Sequence, residues 1–148
     1  MKTLAIQAAA LAAAVMLSCP GAFADAATGT TEGIHYVVGG IGLDESAQMQ
    51  ADSLNHSLSL RTAAYGSGAY LSDVDLTVTD ASGRRLFHQR LDGPWLLIDL
   101  PPGRYSIEGI HEGQVAHMNV TLASHGHRSA VMYFVADSGT RPLAGEKP

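Results

Sequence analysis

Cysteine, clustered positive charge and a hydrophobic run of membrane-spanning length are all scarce or missing in this chain, and each shortage closes off a class of chemistry. Cys19 is the only cysteine among 148 residues. It lies in the N-terminal segment, so a chain cut beyond it carries no thiol, no disulfide, no Cys-based metal site and no Cys nucleophile. The core must hold without a covalent staple, which is feasible because about 120 residues is an ordinary single-domain size. One domain is expected. Positive charge is sparse and scattered: the whole chain is −5, and removing Lys2 with the N-terminal segment leaves eight basic against fourteen acidic residues, −6. Nucleic acid is thereby disfavoured as a partner. Arg84-Arg85 is the only adjacent basic pair, and its place in a turn suits solubility.

The one apolar run, Thr3 to Leu17, follows Met1-Lys2 and precedes Ala22-Phe23-Ala24. Spanning a bilayer takes about 20 apolar residues, and this run is shorter. A positive start, a short apolar stretch and an A-x-A triplet read as a secretory signal peptide over residues 1–24, cleaved after Ala24. The mature chain then begins near Asp25, has no transmembrane segment, and is periplasmic or secreted. Cys19 offers a lipoprotein alternative, against which Pro20 and Leu17 both argue.

Residues 25–33 are small and polar and read as a flexible N-terminus. A β domain is expected over residues 34–136, starting with a strand from Ile34 to Val38, and the Pro/Gly/charge-rich tail 137–148 reads as loose. Between about 43 and 54 the chain lacks Gly, Pro and β-branched residues, and spaces Leu43, Ala47, Met49 or Gln50, and Leu54 at roughly helical intervals. Acids occupy its first turn, so one short amphipathic helix is predicted. Leu58, Leu60 and Thr62 alternate with Ser57, Ser59 and Arg61, a strand with one wet face. Val74, Leu76 and Val78 form another, and Asp80-Ala81-Ser82-Gly83 turns it into a return strand from Arg84 to Leu91. The register of that return strand is open. A three-residue loop faces Leu86 and His88 inward; a four-residue loop faces Phe87 and Leu91 inward, and apolarity favours the second.

The next hairpin is better specified. A two-residue Glu112-Gly113 turn pairs Tyr105 with Val120, Ile107 with Met118 and Gly109 with Ala116, while Ser106 meets Asn119 and Glu108 meets His117 on the other face. Ala130 to Ala136 is apolar on both faces and reads as a central strand. About seven strands with a turn signal every ten residues or so, and one inserted helix, give a mainly β fold: an antiparallel, Ig-like sandwich.

The motif Gly93-x-Trp95-x-Leu97-x-x-Leu100-Pro101-Pro102-Gly103-x-Tyr105 resembles the carboxypeptidase regulatory-like domain, a prealbumin-like β-sandwich, over roughly Leu58 to Val135. The resemblance implies that Trp95, Leu97 and Leu100 fill the core from one strand, that Pro-Pro-Gly turns the chain, and that Tyr105 re-enters the core. The chain also resembles small exported proteobacterial proteins that carry a Gly-Ala-Tyr-Leu loop and an Asp-Gly-Pro-Trp turn within such a domain. The family implies an accessory module with no catalytic residue, and fold alone assigns no function. Relatives that crosslink themselves through Lys–Asn isopeptide bonds need a buried Lys; the mature chain offers only Lys147.

Enzymatic signatures are missing. His111-Glu112-Gly113-Gln114-Val115 lacks the second His of H-E-x-x-H, and Gly66-Ser67-Gly68 is neither a Gly-x-Ser-x-Gly nor on a strand-to-helix turn. The chain is expected to be non-enzymatic and to need no cofactor. Two candidate sites remain. In the first, Tyr65, Ser67 and Tyr70 on a glycine loop, with Trp95 nearby, present aromatic surface to a protein or an envelope glycan at one end of the sandwich. In the second, His125 and His127 in a turn join His117 to hold Zn, Cu or Ni. Against the first, Trp95 has a simpler place in the core; against the second, turn histidines are usually solvated. A small hydrolase is the least favoured reading.

Overall fold

The computed structural model describes residues 26–135. The segment 1–24 expected to be a signal peptide, its Cys19, and the tail 137–148 lie outside the described residues. Nine strands and one helix follow in order: β1 Ala27–Thr31, β2 Ile34–Gly39, α1 Leu43–Asp52, β3 Leu58–Ala64, β4 Val74–Asp80, β5 Arg85–Leu91, β6 Trp95–Ile98, β7 Gly103–His111, β8 Gln114–Leu122 and β9 Arg128–Phe134. A single 3-10 turn, Ser53–Asn55, ends the helix. One sheet runs β1-β2-β6-β3-β9 and the other β5-β4-β7-β8. All strand pairs are antiparallel except β3 with β9, which is parallel.

The fold is therefore the mainly β sandwich expected, with nine strands rather than seven. Part of the difference is β1, which occupies what the polarity of residues 25–33 suggested was a flexible segment. Its turn is Glu32-Gly33, both residues at positive φ (50° and 79°), with Thr31 opposite Ile34. That is the left-handed pair a two-residue hairpin requires, and glutamate is an unusual first member of it.

The two sheets bury one continuous core. Val74, Leu76 and Val78 of β4 and Ile107 of β7 are fully enclosed, against Leu58 and Leu60 of β3 and Leu96 and Ile98 of β6. The return strand β5 pairs Val78 with Phe87, Leu76 with Gln89 and Val74 with Leu91, so Phe87 and Leu91 face inward as expected. Next to the turn, however, Thr79 pairs with Arg85, and the loop itself is the three residues Ala81–Gly83. A register shift between Val78 and Thr79 releases Leu86 from the alternation, and it too is buried. The β7–β8 hairpin takes the expected register in every pair, including Glu108 with His117.

Tyr105 re-enters this core, 6% exposed, and its hydroxyl donates 2.5 Å to the carbonyl of Pro101. The bond ties the Pro101-Pro102 turn to β7, as a tyrosine corner does. Burial first, and the negative charge of Asp80 second, push its proton loss above the usual value of 10.0. Because the folded chain holds this proton more tightly than the unfolded chain, the contribution to stability is complete below about pH 10 and fades as pH rises through the folded value. Urea midpoints are expected to fall in that alkaline window. Tyr105→Phe should lose about 1 kcal/mol at neutral pH, through the missing hydrogen bond, and reduce the alkaline fall.

Candidate functional site

The site is built on the outer face of the five-stranded sheet. Chain alternation sends Leu96 and Ile98 into the inter-sheet core and Trp95 and Leu97 to the opposite side, where Met49 of α1 closes over them with Ala26 and Val37. The expectation that Trp95 and Leu97 fill the sandwich core with Leu100 is corrected accordingly: only Leu100 belongs to it. Every residue of β6 is buried, so its sequence carries no alternation to say which side chains face which layer. The supposed wet face of β3 is covered as well: Ser59 and Ala63 are both 2% exposed, Ser59 bonded to His127 and Ala63 bridged to Tyr70.

Two glycines let α1 sit this close. After β2 the chain passes through Gly40 (φ 92°) against the Trp95 ring, where a Cβ would overlap Cδ1, and Gly42 (φ 94°) caps the helix without a side chain. Glu45 supplies the missing cap by accepting from Ile41 N at 2.9 Å, and Ser46 Oγ donates 2.7 Å to Gly40 O. Of the four apolar positions that suggested an amphipathic face, only Met49 is buried; Leu43 and Leu54 are 90% and 74% exposed.

Beside the helix lies a cleft of about 600 Å³. Leu43, Ser46, Ala47 and Gln50 form its helical wall, Tyr70 and Ser72 the facing wall, and Pro94 and Trp95 also line it. The lining is mostly apolar, and Ile41 and Tyr70 on its rim are about half exposed. The Tyr70 wall is held firmly. Leu71 N donates to Thr62 O at 3.0 Å, Thr62 Oγ1 donates back to Leu71 O, and Thr62 N donates 2.9 Å to Pro94 O. Trp95 is 3% exposed, and its Nε1 is buried with no hydrogen-bond partner among the described residues.

The glycine-loop residues therefore separate. Tyr70 lines the cleft; Tyr65 turns to Tyr133, edge to face at 6.2 Å. Ser67 Oγ accepts from Ala69 N inside its own loop at 3.3 Å. All three are exposed on a loop that reverses through Gly68 N to Ala64 O at 2.9 Å, and of them Tyr70 alone lines the cleft.

The histidines separate too. His127 is committed at both ring nitrogens: Nδ1 donates 2.9 Å to His56 O and Nε2 meets Ser59 Oγ at 3.2 Å. His117 stands 3.6 Å from Glu108 on the exposed face of the second sheet, and His125 is exposed in its turn. No group of three or more His, Cys, Asp or Glu side chains among the described residues is placed to hold a metal ion.

A polar clasp takes the place of that metal site, and the sequence pattern did not reveal it. Asp99 accepts from Ser57 N at 3.3 Å and pairs with His56 Nδ1 at 3.1 Å, while Ser57 Oγ accepts from Leu100 N at 2.7 Å. With His127 it pins the start of β3 to the end of β6 and the start of β9. Its members lie in distant parts of the chain, so no local spacing signals it. Ser59 and His127 have the separation of a nucleophile and its base, but at 2% exposure Ser59 Oγ is closed to a substrate.

No protein-family model matches this chain, and a search of curated proteins finds no match either. Among solved structures, the crystal structure of S.CueP is similar at a TM-score of 0.40 and 12% sequence identity, over 51% of this chain and 61% of that one. The matched part is less than two thirds of that protein, and a likeness so slight bears on neither fold nor site. Among the described residues no helix is long and apolar enough to cross a membrane.

Proposed function

We propose that this chain is an exported, non-enzymatic binding module, with the carboxypeptidase regulatory-like motif Gly93–Tyr105 as its scaffold signature, and that it takes a polypeptide partner in the cleft between α1 and Tyr70. The observation that carries the reading is the cleft: a mostly apolar hollow with a few polar groups at Ser46, Gln50 and Ser72, and exposed apolar side chains on its rim. Of the two partner classes suggested by the sequence, a protein suits this lining better than a glycan. A sugar would need many hydrogen-bonding groups, and the lining is mostly apolar, with Ser46, Gln50 and Ser72 its polar side chains. The binding surface lies on the flank of the sandwich, with Tyr70 as its only member from the glycine loop.

Selection from a displayed library of random peptides tests this. Ala47 is exposed on the helical wall, so Ala47→Trp fills the cleft while leaving the core untouched. Peptides selected on the wild type should lose at least about tenfold in affinity for Ala47→Trp, a difference of roughly 1.4 kcal/mol, and lose affinity for Tyr70→Ala but not for Tyr65→Ala. Undiminished binding to Ala47→Trp would place the partner elsewhere.

A further inference from the structure

Arg61 is the one arginine of the described residues that is half-buried; Arg84, Arg85, Arg90, Arg104 and Arg128 are all exposed. It stands on β3 directly opposite Trp95 of β6, and its guanidinium carbon lies 5.0 Å from the centre of the indole ring. Its Nε is buried without a hydrogen-bond partner, and among the described residues no carboxylate pairs with it, whereas Arg84 meets Asp80 and Arg90 meets Asp73 and Asp75. Of the helix acids, Glu45 accepts from Ile41 N and Asp52 from Gln48 Nε2. A partly desolvated guanidinium whose ring-stacked side cannot be hydrated is costly to leave without an acceptor, and its planar fork matches a carboxylate.

Trp95 both lines the mostly apolar cleft and carries this cation against its ring, so Arg61 stands next to a lining residue without itself lining the cleft. We propose that the site receives the C-terminal end of a partner polypeptide, the last side chain, an apolar one, entering the cleft and the terminal carboxylate meeting Arg61. This inference rests on the cleft being the binding site. A volume of about 600 Å³ admits a chain end rather than a folded surface, and only at a C-terminus does the backbone itself set a carboxylate beside an apolar side chain. The chain's net charge of −5 supplies no general attraction for anions, so recognition has to come from this local pairing.

The chain contains one tryptophan, so a single indole N–H resonance in a nitrogen-15 spectrum reports on the site. Titration with N-acetyl-leucyl-phenylalanine, and separately with its neutral C-terminal amide, should shift that resonance. The acid is expected to bind about tenfold more tightly than the amide. Arg61→Gln should bring the two affinities together, and Arg61→Lys should keep part of the difference. The acid–amide comparison on the wild type stands even if a variant folds poorly. Equal binding of acid and amide, with the resonance moving in both, overturns the carboxylate role and leaves the cleft reading intact; a resonance that moves with neither overturns both.

Discussion

Gly93→Ala is expected to lower unfolding stability by about 3 kcal/mol, the upper end of what overpacking costs, as read from a denaturant midpoint. A Cβ at this position would run into the carbonyl oxygen of Gly39 and stand 2.9 Å from its Cα. These obstacles are backbone, so no side chain can rotate out of the way. Gly39 pairs with Trp95 across β2 and β6, and relief requires those two strands to part at the edge of the cleft. Gly126→Ala is a useful contrast: its φ is 106°, but nothing lies within 4 Å of the added atom, so only the cost of the left-handed backbone, about 1–2 kcal/mol, is expected.

Trp95→Ala should be more damaging still, by about 3–5 kcal/mol. The indole belongs to a small second cluster whose other buried members are only Met49 and Leu97, so neighbours have little with which to refill the gap. Met49 is also the only buried residue of α1. Losing the surface it rests on should loosen the helix before the sandwich, seen as faster amide exchange in Leu43–Asp52 than in β4 or β7. Uniform exchange rates across helix and sheets would instead mean that α1 is held by something other than this cluster. Trp95→Phe, which keeps an aromatic ring over Leu97, should retain part of the stability.

Much of the scaffold was legible where two strands gave mutually consistent signals. The β7–β8 register followed from Glu112-Gly113 because alternation on both strands agreed on the buried face, and Phe87 with Leu91 marked the register of β5 by apolarity alone. The helix was also visible, though its packing was not: Met49, rather than Leu43 or Leu54, makes the contact. Trp95 was misplaced because a four-residue strand buried on both faces has no period to read, and the layer that covers it comes from a distant helix. Ser59 and Arg61 looked like a wet face because their cover is also distant in sequence, His127 for Ser59 and Trp95 for Arg61. β1 was missed because polar residues pair through their backbone as readily as apolar ones.

The site was harder to foresee. Tyr70 lines the cleft described here, whereas Tyr65 lies against Tyr133 and Ser67 bonds within its own loop. The local pair His125-Gly126-His127 suggested a metal, whereas long-range bonds to His56 and Ser59 claim His127 for the clasp. Arg61 carried no local signal at all; only the strand pairing that brings it to Trp95 distinguishes it from the other arginines.

The claim on which the functional account depends is that a partner binds beside Trp95, between α1 and Tyr70. The most direct measurement is the single indole N–H resonance of the wild-type chain at saturation with a peptide selected for binding to it. The account predicts a clear shift of that resonance, together with the backbone amides of Leu43–Gln50 and Tyr70–Ser72, and loss of the shift in Ala47→Trp. Saturated binding that leaves the indole and the helix amides unmoved would contradict it.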